Sequence, residues 1–294
     1  MTTTRSQLPF GRRPLTAHMR WRYGWSAVGV IGSGFCAGLA ASLLLLILGY
    51  VAIQGVTALN PAFLTHVPRP VGVSGAGVAN GIVGTFIVVG IAVALATPVG
   101  VFTGIYLALF GRGRFAETVR FLADVLSGIP SIAIGLFAYT LFVQPFHHFS
   151  ALSASLAFAI LMLPLIIRTA EESIARVPTR VREGALALGI STYSSTIHII
   201  VPAARAGIIT GLLLAIARVT GETAPLLFTA FGSQFWELNP TNPMAVLALQ
   251  VFTYAISPYE DWHRQAWAGA FLLIVAVLIL NVSARLVLRN RFEA

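Results

Sequence analysis

Between Arg205 and Glu237 this 294-residue chain carries only two ionisable side chains, Arg218 and Glu222, and they stand four residues apart. On a helix that spacing puts both on one face, within reach of each other. The stretch around them is apolar enough to enter a membrane, where a charged side chain costs at least about 2.5–3.5 kcal/mol and therefore reads first as function. The chemistry it fits is oxyanion handling. A guanidinium offers a planar fork of donors to phosphate-like oxygens, Thr220 and Thr223 add hydroxyls, and Pro225 leaves backbone carbonyls of this turn unpaired. A glutamate beside the arginine holds it in place or limits how tightly an anion binds. The same pair also reads as a structural ion pair packing one span against its neighbours.

Other chemistries are excluded or unsupported. All 19 basic residues are arginine. Without lysine there is no phosphate-binding Walker loop and no Schiff-base catalysis. The single cysteine, Cys36, rules out an internal disulfide. His18, His66, His147, His148, His198 and His263 show no metal-ligand spacing. No serine or cysteine has the partners of a nucleophile. Neither a metal nor a cofactor of its own is expected.

The elements that must position the charged pair are membrane helices. Of the residues, 57% are hydrophobic and 10% charged, against about 25% charged in a soluble domain. Uncharged intervals cover residues 23–68, 70–111, 125–167 and 265–284. These predict an all-α integral membrane protein with six spans, at about 26–53, 80–110, 121–143, 151–170, 204–230 and 266–288. Asn60-Pro61, the glycine-rich stretch from Gly72 to Gly81, Gln144-Pro145, and Pro240 with Pro243 separate them. Ala245 to Ile256 is too short for a seventh span and reads as interfacial or re-entrant. The first apolar run is about twice the length of a signal-peptide core and reads as a retained span. Gly34, Gly38, Gly84, Gly90 and Gly100 fit close helix packing.

Six spans with a cytoplasmic N-terminus sort the arginines. Sixteen fall inside: Arg5, Arg12, Arg13, Arg20 and Arg22 in the tail, Arg112, Arg114 and Arg120 in a short loop, Arg168, Arg176, Arg180, Arg182 and Arg205 around a long one, and Arg285, Arg289 and Arg291 at the end. Only Arg69 and Arg264 fall outside. The net charge of +9 is thus topological, by the positive-inside rule, and does not point to nucleic acid.

The long inner loop between Arg168 and Arg205 is bracketed by Pro178 and Pro202, with Gly189 between two amphipathic stretches. Two short helices meeting at Gly189 would make a compact knob below the membrane. Glu183-Gly184-Ala185, three residues, Gly189, nine residues, then Ile199-Ile200-Val201-Pro202 resembles the EAA loop of bacterial ABC importer permeases. Gly184 stands where that family usually has alanine, and Val201 where leucine is common. Arg218 through Ala230 resembles the A-type permease subunits of high-affinity phosphate importers, as do Asn242-Pro243-Met244-Ala245 and Gly128-Ile129-Pro130-Ser131-Ile132 with Asp124 before it. The likeness runs from about Gly81 to the C-terminus.

The resemblance implies a type I importer permease: a tail at 1–25, a first helix and outer linker at 26–78, a permease domain at 79–288 with its coupling loop at about 171–203, and a C-terminus at 289–294. It implies docking of Glu183, Gly184, Ala185, Gly189 and Pro202 on a cytoplasmic ATPase dimer, pairing with a homologous C-type permease, and delivery by an extracytoplasmic phosphate-binding protein. Phosphate would pass Arg218, Glu222, Thr220 and Thr223 by alternating access in the bacterial inner membrane, with membrane lipid around the spans. Asp124 would sit a turn inside the third span near Pro130 and Ser131, pairing with a neighbour or lying at the interface. Another oxyanion (phosphonate, sulfate or molybdate) fits the same residues, and a non-transporting anchor or sensor fits the composition.

Overall fold

The computed structural model describes residues 17–73 and 75–289. It is helical throughout: α1 (Ala17–Ala58), α2 (Pro61–Thr65), α3 (Ala79–Leu109), α4 (Arg114–Gly128), α5 (Ser131–Ala138), α6 (Ala151–Ala175), α7 (Thr179–Ala187), α8 (Thr192–Ser195), α9 (Val201–Thr220), α10 (Ala224–Thr229), α11 (Leu247–Ala255) and α12 (Glu260–Arg289). Five described helical stretches are long and apolar enough to cross a membrane, and α4 with α5 makes a sixth, broken one. The chain divides into two compact units at Val51 and Ala52. The first holds the leading part of α1, whose side chains from Trp25 to Ile47 are exposed. Of the tail arginines, Arg5, Arg12 and Arg13 lie outside the described residues, as does Arg291.

In the second unit α6 is the central helix, with 67% of its most apolar window buried. The main core gathers Phe158, Met162 and Ile166 of α6 with Val88 and Ala92 of α3, Ala215 and Val219 of α9, and Leu226 of α10. Small residues let the backbones close up. Gly100 and Gly104 of α3 meet Ile166 and Ala170 of α6, at 2.6 Å each from where a Cβ would stand. Gly207 and Gly211 of α9 receive Ser173 and Thr169 of α6 in still closer contact. Of the glycines expected to pack, Gly84 and Gly100 do, Gly84 against the Ala245 carbonyl. Gly34, Gly38 and Gly90 have no neighbour within 4 Å among the described residues.

Two spans differ from the sequence expectation, both for local backbone reasons. The third, expected as one helix over 121–143, stops at Gly128 and resumes at Ser131 with a bend of 104°. Pro130 has no N–H to continue the helix and drives Ile129 into the extended region, φ −72° and ψ 131°. After α5 the chain goes on through a π-helical turn, Tyr139–Val143.

The fifth, expected over 204–230, is displaced toward the N-terminus. It begins at Thr192, capped by the Ser191 hydroxyl, passes through a π-helical turn at Thr196–Ile200, and ends at Thr220. Pro202 therefore does not close the loop. It lies inside the continuous helix, directly after the π-helical turn at Thr196–Ile200, which adjoins the residue that has no N–H to give. The second of the two expected loop helices is thus the start of the fifth span itself. Two other spans overrun their expected ends: α6 continues to Ala175 and α12 begins at Glu260. α11 has nine residues, too few to cross, and Leu247 to Leu249 are buried, which suits a re-entrant segment.

Candidate functional site: a charged helix end, a paired break and a ring of ions

The helix carrying Arg218 ends two residues later. Gly221 caps it with its N–H on the Arg218 and Val219 carbonyls, and the Glu222 N–H reaches the Val219 carbonyl at 3.1 Å. Arg218 and Glu222 therefore do not share a helix face, as their spacing predicted; the turn at Gly221 brings them together instead. Their closest N–O separation is 4.0 Å, with the arginine 42% and the glutamate 24% exposed. That lies beyond hydrogen-bond range, and among the described residues the Arg218 guanidinium makes no hydrogen bond. Its fork is free to take another acceptor. Thr220 donates its hydroxyl back to the Ile216 carbonyl at 2.7 Å, so only its lone pairs remain. Thr223 opens α10, with its carbonyl accepting from Leu226 and Leu227.

The two interrupted spans meet here. α10 lies on α5: a Cβ on Gly135 would stand 2.6 Å from the Pro225 Cα. Pro130 and Ser131 form the start of α5, one turn from this contact, and Leu226 is wholly buried. A proline-initiated short helix in each span thus packs on the other, and Arg218 stands at the end of the segment that leads into one of them. Discontinuous helices paired in this way are the places where membrane proteins take non-helical backbone and ligand chemistry.

Asp124 sits elsewhere, on α4. Arg168 of α6 grips its carboxylate with both prongs, the Nε at 2.9 Å and an Nη closer still. The same arginine reaches Glu171 at 3.4 Å. Glu171 in turn accepts from Arg120 at 2.6 Å, and Arg120 donates to the Leu107 carbonyl at 2.9 Å. Four charges thus tie α4, α6 and the end of α3 together. The sequence reading placed Arg120 and Arg168 among the topological charges and did not name Glu171. The available signal was helical spacing, with Arg120 and Asp124 four apart and Arg168 and Glu171 three apart.

At the end of the molecule opposite α10, α7 carries the predicted docking residues. Glu183 and Gly184 are exposed and Ala185 is buried. Gly189 takes φ +78°, and the Gly189 and Ile190 N–H groups close onto the Leu186 and Ala185 carbonyls, a left-handed helix stop that favours glycine. Leu188 and Tyr193, not singled out from the sequence, flank it at 81% and 75% exposure. Pro202 stands apart, inside the fifth span.

With this arrangement in view the comparisons with known proteins are decisive. The family described as binding-protein-dependent transport system inner membrane component matches residues 100–291. The chain belongs to that family. It is 43% identical to the phosphate transport system permease protein PstA of Haemophilus influenzae over 81% of this chain and 84% of that one. To PstA of Yersinia pestis it is 41% identical over 81% of each. The fold resembles an inward-facing MetNI methionine ABC transporter chain, with a TM-score of 0.62 over 72% of this chain and 95% of that one at 15% identity. The protein is therefore a multi-pass inner-membrane permease subunit of the type I importer fold.

Proposed function

We propose that this chain is the transmembrane permease of an ATP-driven phosphate importer. It works beside a homologous C-type permease, two copies of a cytoplasmic ATPase and an extracytoplasmic phosphate-binding protein. Hydrolysis belongs to the ATPase chains; this subunit needs no cofactor. Both termini and α7 lie on the cytoplasmic side, in keeping with the arginine distribution. The observation that carries the phosphate assignment is the unbonded Arg218 fork at the broken end of the fifth span, in a chain whose relatives are phosphate permeases.

The mechanism follows from that geometry. Phosphate displaces no strong partner on reaching Arg218, because the nearest carboxylate stands at 4.0 Å. Glu222 keeps the site from binding an anion too tightly to release it, and Thr220 and Thr223 accept from the protonated oxygens of phosphate. ATP-driven closure pushes α7 through Glu183, Gly184, Ala185 and Gly189. Because α8 and α9 are one continuous helix from Thr192 to Thr220, about 29 residues at 1.5 Å each carry that push to the far end, Pro202 included. Asp124, with Pro130 and Ser131, shapes the broken third span and does not touch substrate.

The test is labelled-phosphate uptake in phosphate-starved cells lacking their own copy. We expect uptake by the wild type and none by an assembled Arg218→Gln complex. Uptake that survives the change would return Arg218 to a structural role. A wild-type complex that moves sulfate or phosphonate and not phosphate would overturn the substrate.

A further inference from the structure

The last turns of α1, together with α11 and the start of α12, enclose a groove of about 490 Å3. α12 contributes Glu260, His263, Arg264, Trp267 and Ala270, which recur at three and four residues and so share one helix face. Val251 of α11 and Gln54 of α1 complete the lining that matters here. Two glycine contacts fix their levels. Gly55 of α1 packs on Phe271, with the Trp267 carbonyl 2.9 Å from where a Cβ would stand, so Gln54 lies level with Trp267. Gly269 of α12 takes Val251 at 2.5 Å in the same sense, so Val251 lies level with Ala270.

The groove is therefore graded along its length. Ionisable side chains stand at its mouth, a single amide lies below them, and the far end is apolar. From Glu260 to Ala270 is ten residues, about 15 Å at 1.5 Å each. That depth covers one headgroup layer and the outer part of a hydrocarbon core about 30 Å thick. Charge, then an ester-level amide, then apolar surface is the profile of a phospholipid. On the orientation proposed above the leaflet is the outer one.

The mouth also selects a headgroup. Arg264 is 71% exposed and bonds Asp261 three residues back; a guanidinium has five donors, so others remain for a phosphodiester oxygen. Glu260 is exposed and makes no ion pair or hydrogen bond among the described residues. His263 is already engaged, donating to the Ser257 carbonyl at 2.6 Å. The half-buried Gln54 amide has no hydrogen-bond partner among the described residues, and beside apolar side chains it gains from an ester carbonyl. One free carboxylate beside a partly free guanidinium complements a primary ammonium joined to a phosphodiester. A glycerol headgroup brings Glu260 no cation, and a choline headgroup brings it a cation without an N–H. A spanning helix of the partner permease would set an apolar face against Glu260, at a cost.

We propose that this groove holds one phospholipid with an ethanolamine headgroup. Its ammonium meets Glu260, its phosphodiester meets Arg264, an ester carbonyl accepts from Gln54, and one acyl chain lies along Val251 and Ala270.

The experiment places the complete transporter in phosphatidylcholine nanodiscs with a trace of phosphatidylethanolamine carrying a diazirine in its acyl chain. Illumination should label residues 265–285, which trypsin releases as one peptide between Arg264 and Arg285. Unlabelled phosphatidylethanolamine should suppress that labelling severalfold better than equal amounts of phosphatidylglycerol or added phosphatidylcholine. Equal suppression by all three would leave only ordinary surrounding lipid and overturn the site. An assembled Glu260→Gln complex should lose the preference severalfold, the size of one exposed ion pair; an unaltered preference would overturn the headgroup assignment. The wild-type competition stands even if that variant does not assemble. Absence of label from this segment, with Ala270→p-benzoylphenylalanine cross-linking to the other permease, would give the groove to that partner and overturn the proposal. None of these readouts depends on transport, so the importer reading is tested separately.

Discussion

The α6–α9 pair and the α5–α10 pair are both helix contacts made over glycine, and they are built to opposite ends. α6 and α9 are long, and Gly207 and Gly211 sit against Ser173 and Thr169 one turn apart, the small-residue spacing that brings membrane helices close. Neither helix is interrupted there, and both run on to the segment that carries α7. α5 and α10 have eight and six residues, each opened by a proline, and meet chiefly where Gly135 faces Pro225. The first pair behaves as a strut and the second as a joint. On the proposed mechanism, a force applied at α7 would pass along α9 and be taken up at the turn around Gly221, beside Arg218.

Substitutions separate a strut from a joint by what they destroy. The largest effect should come from Gly211→Leu, which drives a side chain into Thr169. Overpacking at a helix contact costs about 1–3 kcal/mol or more, and here the whole strut must part. Loss of the assembled complex in detergent, seen as an absent peak on size exclusion, is the expected outcome; a normal peak would show that α6 and α9 can separate.

Next in size is Glu171→Gln, which leaves Arg120 and Arg168 sharing one fewer negative charge at a residue 14% exposed. Removing one partner of a buried pair costs about 3–5 kcal/mol, and partial exposure of both arginines reduces this to about 2 kcal/mol. The complex should melt several degrees lower while transport per surviving complex is unchanged. An unaltered melting temperature would mean that the ion ring does not hold α4 in place.

Gly135→Ala acts on the joint. Its added methyl would stand 2.6 Å from the Pro225 Cα, a backbone atom, so α10 must shift, at the lower end of about 1–3 kcal/mol. Assembly should persist while the maximal rate of phosphate uptake falls severalfold. Equal loss of assembly and uptake would make this contact a second strut.

The smallest effect is expected at Gly184→Ala. Gly184 has open space where a Cβ would go and an ordinary helical conformation, so the change should firm α7 by at most about 1 kcal/mol. Uptake should be equal to or slightly above wild type. A marked fall in uptake would show that the ATPase needs a bare backbone at that point.

How much of this was readable from residues alone depends on the distance between the residues concerned. Arg218 and Glu222 were recognisable as a pair because both lie in one uncharged stretch, but the spacing rule assumed a helix that Gly221 ends. Pro130 was legible as part of a motif; that it breaks the third span by 104° depends on neighbours that tolerate the bend. Asp124 and Arg168 are 44 residues apart, and Thr169 and Gly211 are 42 apart, so nothing in the local pattern names either partner. The Gly207 and Gly211 spacing was in plain view without the opposing hydroxyls that give it meaning.

By itself the sequence determined the solvent. Long uncharged stretches must enter lipid and arginines must stay at its edges, because burial of apolar surface and exclusion of charge act residue by residue. It also determined the left-handed stop at Gly189, which arises from one backbone position. Tertiary structure alone decided where the fifth span begins, which helix is central, which carboxylate each arginine grips, and that the two broken spans face each other. Those outcomes depend on contacts between segments far apart along the chain, whose energies exist only once the helices have packed.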